Sequence, residues 1–253
     1  MRVRATVAYD GGPFHGFVPN EGVRTVAGDL NAALSRVVGT TVVVTCAGRT
    51  DRGVHAVGQV VSFDAPDDSD LDRIRRSVNR QCGPSLVLRD LERSGDGFDA
   101  RFTATGRTYR YQVLNRQDPD PFLAATAWHI VDPLDVPAMQ SAADHLLGEH
   151  DFTSFCRRSK VAPGVAVPTL VRRIETAEWW GPDDAGLLEF RITATAFCHQ
   201  MVRSIVGTLV DVGRGRRQVG DVPGMIEARD RQAAGEPAPP HGLTLWSVRY
   251  PDV

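Results

Sequence analysis

Apolar residues recur along this chain with two different periods, and the places where the period changes mark its elements. Between Met1 and Tyr9 they alternate with polar ones, setting Val3, Ala5, Val7 and Tyr9 on one face, as in a half-buried strand. Asp10-Gly11-Gly12-Pro13 ends that run with turn residues. From about Thr25 the period lengthens: Val26, Leu30, Ala33, Leu34 and Val37 share one side of a helix that Gly39 closes. Val42-Val43-Val44 predicts a short buried strand and Val57 to Phe63 another, which leaves Gly48 to His55 as a loop held at both ends by sheet. Leu71 to Arg80 reads as a helix and Leu86 to Glu92 as a strand. Arg107 to Leu114 alternates strictly, with Arg107, Tyr109, Tyr111 and Val113 facing one way.

The second half reads in the same manner. Pro133 to Leu147 predicts a helix, and Leu170 to Glu178 with Leu187 to Thr195 a strand pair joined through Gly181-Pro182-Asp183-Asp184. His199 to Val212 is strongly helical and the most apolar helix of the chain, ending at Gly213. A short helix near Pro223 to Gln232, a Pro-rich loop at Pro237 to Pro240 and a strand from Leu243 to Tyr250 complete it. Helices and strands alternate irregularly, with hairpins among them, which predicts an α+β fold with a mixed or antiparallel sheet and not a doubly wound parallel one. The Asp- and Pro-rich stretch from Asn115 to Pro121 divides the chain into halves, 1–115 and 116–253, without repeats or low-complexity segments.

Composition adds mainly exclusions. With 253 residues, 42% hydrophobic and 24% charged, the chain has the make-up of an ordinary globular protein. No apolar run approaches the ~20 residues of a membrane span, and Met1 to Tyr9 lacks the apolar core of a signal peptide. Cys46, Cys82, Cys156 and Cys198 lie far apart, a spacing that suits reduced thiols in a cytoplasmic protein better than a disulfide framework or zinc site. The 29 basic residues against 31 acidic ones leave a net charge of −2, low for a nucleic-acid binder. The distribution changes that picture. Arg101, Arg107, Arg110 and Arg116 occur in a stretch without carboxylates, and Arg203, Arg214, Arg216 and Arg217 are set against Asp211 alone, stripes compatible with one RNA-facing cleft.

Three segments could carry chemistry. In Gly48-Arg49-Thr50-Asp51-Arg52-Gly53-Val54-His55, cations flank a carboxylate and would hold it ionised, which suits a nucleophile or base. On local composition alone, a turn-capping Asp paired with arginines is the stronger reading. Arg107-Thr108-Tyr109-Arg110-Tyr111 offers stacking surfaces and phosphate contacts for unpaired nucleotides. The alternative is core filling; it stays open for Tyr111, while the arginines around Tyr109 favour RNA contact. In Phe197-Cys198-His199-Gln200-Met201-Val202-Arg203, Arg203 extends from a nearly buried helix and needs a partner, naturally a carboxylate. His199 beside Cys198 has no second pair to support a metal, and a helix-start histidine is the simpler reading. Gly213-Arg214-Gly215 and His150-Asp151-Phe152 with Ser154 match a dinucleotide fingerprint and a triad only in fragments.

Taken in order, these segments resemble the TruA family of tRNA pseudouridine synthases over nearly the whole chain. The resemblance runs through Tyr9-Asp10-Gly11, Ala47 to His55, Arg101-Phe102, Arg107 to Tyr111, His150 to Phe155, Phe197 to Gly207 and Gly242 to Leu245. It implies a pseudouridine-synthase fold of two similar α/β halves around a continuous mixed sheet, with a cationic central cleft and a homodimer. It implies isomerisation of uridine to pseudouridine in the tRNA anticodon arm, at nucleotides 38, 39 and 40, without a cofactor or metal. Asp51 falls on the family's catalytic aspartate, Tyr109 on the tyrosine that stacks on the target base, and Arg203 on the arginine that pairs with the aspartate. Arg49 matches an arginine that helps turn the nucleotide out, and Leu245 an apolar residue of the base pocket. Further substrate contacts are expected at Arg52, His55, Arg101, Arg107, Tyr111 and His199. No membrane takes part.

The reaction breaks the N1–C1′ bond, turns the uracil and joins C5 to C1′, so one carboxylate suffices, by adding to C1′ or by removing a sugar proton to give a glycal. The base must leave its stack, which is what an aromatic platform and cleft arginines serve. Two departures touch RNA contacts: Gly16-Phe17-Val18 stands where relatives carry Gly-Trp-Gln, and Ala27 where Gln is frequent. Two rivals are a tRNA-binding protein without activity and an N-glycosidic hydrolase, though the latter calls for a pair of carboxylates.

Overall fold

The computed structural model describes residues 1–157 and 169–251. In chain order the elements are β1 (Arg2–Tyr9), α1 (Val26–Val38), β2 (Thr45–Cys46), β3 (His55–Asp64), α2 (Leu71–Cys82), β4 (Leu86–Arg93) and β5 (Gly106–Asn115). There follow β6 (Trp128–Ile130), α3 (Val136–Asp144), β7 (Gly148–Asp151), β8 (Val171–Trp180), β9 (Leu187–Ala194), α4 (Met201–Gly213), α5 (Asp221–Ala228) and β10 (Leu243–Arg249). They form two compact units, one of Met1–Gly106 with Thr244–Val253, the other of Arg107–Leu243.

In the first unit the strands lie in the order β4-β1-β3-β10. β3 pairs antiparallel with β1 along nearly its whole length, while its other edge takes β10 in parallel at His55 and Ala56 and β2 antiparallel at Val61 and Ser62. Paired on both edges, β3 is buried from Gln59 to Phe63, which explains its near-continuous apolar run. α1 packs against α2, and α2 against β4. Thr25 caps α1 by accepting from Gly28 N, and Asp70 caps α2 by accepting from Arg73 N.

The expected strand at Val42 to Val44 does not form. Val42 and Val44 are buried but Val43 is 72% exposed. Their backbone N–H groups donate to side chains on α1, Val42 N to Ser35 Oγ at 2.8 Å and Val44 N to Asn31 Oδ1 at 3.0 Å, in place of a neighbouring strand.

In the second unit the order is β5-β9-β8-β7, all antiparallel, with β6 parallel to β5. α3 is shorter than its apolar pattern suggests. Asp135 caps its start, and the chain turns at His145 into β7, a strand too short and polar to show alternation. α4 is the core of this unit: all of its residues except Arg203 and Asp211 are buried. Gly207 is needed because a Cβ there would stand 1.8 Å from Glu236 O, so the 234–238 segment can run directly over the helix. Parallel and antiparallel pairs with helices packed on them make the fold α+β, as expected.

Candidate active site

Asp51 lies between β2 and β3 on a loop whose backbone is tied from three directions. Gln59, fully buried on β3, donates through Nε2 to Gly48 O at 2.6 Å and accepts at Oε1 from Gly48 N at 3.4 Å. The Tyr9 hydroxyl, at the end of β1, is 2.8 Å from Thr50 Oγ1 and 3.4 Å from Gln59 Nε2. Phe17 N donates to Thr50 O at 3.1 Å, and Val54 N closes the turn onto Asp51 O at 3.2 Å. The third tie is at Gly11, where a Cβ would stand 2.2 Å from Val54 O, so no other residue lets the two loops approach so closely. Gly11 N donates to His55 Nδ1 at 3.0 Å, and Asp10 Oδ1 is 3.1 Å from the same nitrogen. Buried polar groups that satisfy one another in this way hold a loop as firmly as secondary structure would.

Asp51 is half-buried on this frame, and Arg49 and Arg52 beside it are exposed. β10 runs alongside the start of β3, in register Thr244 with His55 and Leu245 with Ala56, so the fully buried Leu245 stands next to the strand that leaves the loop. Cys46, at the entrance to the loop, has its thiol pushed up to about 11 by burial, against the opposing charges of Arg49 and Arg101. Arg101 itself is exposed.

In the second unit, Tyr109 on β5 is buried, with its ring edge-on to Phe197 at 5.1 Å between centroids. Arg107 donates to Thr195 O at 2.9 Å, which fixes its guanidinium at the end of β9. Tyr111 settles as a core residue: it is fully buried, its hydroxyl donates to Pro239 O at 2.8 Å, and burial pushes the phenol far above its ordinary range, with Arg203 pulling the other way. Arg203 Nε donates to Ala238 O at 2.7 Å while Ala238 N returns a bond to Arg203 O at 2.9 Å, so the loop over α4 sets the side chain's direction. His199 is exposed just before the helix, and its carbonyl accepts from Arg157 N at 2.9 Å.

Two expectations change here. Cys156 and Cys198 form a disulfide, with Cα atoms 5.8 Å apart, so the reading of reduced thiols holds only for Cys46 and Cys82. Their spacing of 42 residues carries no local signal; the packing of the Thr153–Phe155 turn against α4 brings them together. The arginines at the end of α4 are not a bare cationic stripe. Arg214 lies 3.3 Å from Asp132, and Arg216 and Arg217 lie 3.9 Å and 3.5 Å from Asp211. On β5, Arg110 likewise lies 3.5 Å from Glu189. A cavity of about 330 Å³ in this unit is lined by Cys156, Arg157, Gln200, Arg229 and Arg231 among others, and by none of the residues singled out for catalysis. Among the described residues, no cluster of three or more His, Cys, Asp or Glu is placed to hold a metal ion, and no helix is long and apolar enough to cross a membrane.

Comparison with known proteins supplies the deciding observation. Residues 5–103 and 142–251 match the family described as tRNA pseudouridine synthase. The chain belongs to that family. The tRNA pseudouridine synthase A of Bacillus velezensis is 43% identical over 252 residues, covering 99% of both chains. That of Bacillus subtilis strain 168 is 41% identical with the same coverage, and that of Frankia casuarinae 42% identical, covering 99% of this chain and 90% of its own. The crystal structure of a Cbf5-Nop10-Gar1 complex aligns with a TM-score of 0.38 and 12% identity over 82% of this chain and 45% of that one. As a member of the family the synthase isomerises uridine to pseudouridine in tRNA.

Within the synthase, the brace around the Asp51 loop is what reading of the sequence missed. Gln59 does carry a signal, a polar side chain inside the apolar run Val57 to Phe63, but its partner Gly48 is visible only in three dimensions. Of the two departures from family pattern, Phe17 is buried and its ring packs 6.3 Å from that of Tyr9, so this position now supports the brace. Val18 is 40% exposed, and Ala27 is buried at the start of α1.

Proposed function

We propose that the synthase acts on uridines in the anticodon stem-loop of tRNA, at nucleotides 38, 39 and 40, with Asp51 as its single catalytic carboxylate. The observation that carries the assignment is the Asp51 loop itself, a half-buried carboxylate on a backbone held by Gln59, Tyr9 and Gly11. Rigid support of this kind is what a reacting group needs, since small displacements of a catalytic atom are costly in rate. Asp51 adds to C1′ as the N1–C1′ bond breaks, or takes a sugar proton to give a glycal. The freed uracil turns and bonds through C5 to C1′, which displaces the Asp51 carboxylate in the first route and returns the sugar proton in the second. The C5 proton then leaves and N1 takes one up, so the ring is restored with no net change in composition. Tyr109 stacks on the turned-out base and helps to handle that proton, and Arg203 is the arginine that the family resemblance pairs with the aspartate. Arg49, Arg52, Arg101, Arg107 and His199 serve the RNA, with Leu245 lining the base pocket. The active form is a homodimer, as the family resemblance implies, and works in the cytoplasm.

Tritium release from C5-labelled uridine in unmodified tRNA tests the reaction, with sites mapped by carbodiimide modification and primer extension. Asp51→Ala should abolish release while leaving tRNA affinity within about tenfold, ~1.4 kcal/mol. Retained activity in Asp51→Ala rejects the assignment of Asp51, and absence of release from the anticodon arm by the parent protein rejects the site. Sedimentation at micromolar concentration tests the dimer.

A further inference from the structure

Phe102 is large, apolar and 79% exposed, yet the backbone of its turn is held by a set of hydrogen bonds. The Asp99 carboxylate Oδ1 accepts from both Arg101 N at 2.8 Å and Phe102 N at 2.9 Å. Thr103 N donates to Asp99 O at 3.0 Å, closing the turn. Two residues before Phe102, Ala100 is completely buried: its N donates to Ser62 Oγ at 3.1 Å and its carbonyl accepts from the Tyr250 hydroxyl at 2.7 Å. An exposed aromatic on a mobile tip needs no explanation, because burial is often incomplete at surfaces. One presented outward from an anchored turn does need one, since it forgoes hydrophobic burial without gaining freedom.

The surroundings indicate what would cover it. The Arg101 guanidinium lies 5.1 Å from the centre of the Phe102 ring. Ala100 packs in one cluster with Ala47 and Val60, and Ala47 immediately precedes the Gly48–Asp51 segment. The turn is thereby fixed to the scaffold of the Asp51 loop. Arg49 and Arg101 both bear on Cys46, so the two exposed cations belong to the same neighbourhood. An exposed ring with a cation over one face matches a nucleobase with its phosphate: the base stacks on the other face and the guanidinium meets the backbone anion.

We propose that Phe102, with Arg101 beside it, is a stacking platform for an unpaired base of the RNA substrate other than the uridine being isomerised. The inference rests on the substrate being tRNA. It makes Phe102 a binding and specificity residue, not a catalytic one, and commits the surface to a base as its occupant.

Phe102→Trp turns the platform into a reporter. Its emission, taken as the difference from the parent protein, should be quenched by unmodified tRNA at the concentrations that saturate binding. Phe102→Ala should raise KM for tRNA on the order of tenfold, the usual scale for loss of one stacked base, and leave kcat at saturation within about twofold. Phe102→Tyr should restore KM. Melting temperatures of all three should match the parent, since the ring is exposed. If the parent binds tRNA but Phe102→Trp emission does not respond and Phe102→Ala keeps the parental KM, the platform is rejected and the reading of the enzyme stands. If the parent binds no tRNA, both fall together.

Discussion

Replacing Gln59 by leucine separates the scaffold of the active-site loop from its chemistry. Gln59 is fully buried, and its work is the bond from Nε2 to Gly48 O at 2.6 Å, with longer contacts of 3.4 Å to Gly48 N and the Tyr9 hydroxyl. Gln59→Leu keeps the bulk and removes the donor. A partly buried carbonyl left unpaired costs about 1–3 kcal/mol. For a protein of this size that corresponds to a fall in Tm of roughly 2–10 °C. The larger effect is expected in rate. Gly48 lies three residues before Asp51, and a shift of about 1 Å in a reacting group can cost on the order of a hundredfold. Single-turnover tritium release well below the lowered Tm should therefore show kcat down about ten- to a hundredfold, with KM for tRNA within about threefold. Gln59→Glu should be no better, because it sets a carboxylate oxygen against the Gly48 carbonyl. A fall in Tm with parental kcat would refute the reasoning, since Gln59 would then hold the fold but not the position of Asp51.

Three further outcomes are expected. Tyr111→Phe removes the bond to Pro239 O and should cost about 1 kcal/mol. Because burial raises the Tyr111 phenol, its contribution is complete below about pH 10, where the unfolded chain also keeps the proton, and is lost as pH rises further. Urea titrations at pH 9 and pH 11 should show a smaller decline for Tyr111→Phe than for the parent. Cys156 and Cys198 close a loop of 42 residues, worth about 4 kcal/mol by loss of chain entropy in the unfolded state. Reductant or Cys156→Ser should lower Tm accordingly, and thiol titration in denaturant without reductant should find two of the four cysteines reactive, four being the result that overturns the bridge. Cys46, with its thiol held up at about 11, should alkylate at pH 8 far more slowly in the native protein than in urea, as mass spectrometry of the peptide can measure.

What the sequence by itself determined is whatever depends on neighbours along the chain. The strand Arg2–Tyr9, the helix capped by Thr25 and ended at Gly39, the alternation of β5 and the apolar helix carrying Arg203 were all legible, because period and capping are local properties. The order of motifs also sufficed to identify the resemblance to a family of RNA-modifying enzymes. The tertiary structure decided everything that required a partner far away in the chain. Val42 to Val44 has the composition of a strand but bonds to Asn31 and Ser35 on a helix, and no pattern of apolar residues encodes that choice. β10 lies parallel to the start of β3 because packing returns the end of the chain to the first unit, which is why Leu245 stands beside the Asp51 loop. Arg214, Arg216 and Arg217 read as a cationic stripe until their carboxylate partners were in place. Asp51 stood out between its two flanking arginines, but those alone favoured a turn cap, and it was the resemblance to a family that made it a catalytic candidate. That its loop is rigid depends on Gln59, Tyr9 and Gly11 satisfying its backbone and side chains, a matter of two strands and a turn meeting at hydrogen-bonding distance.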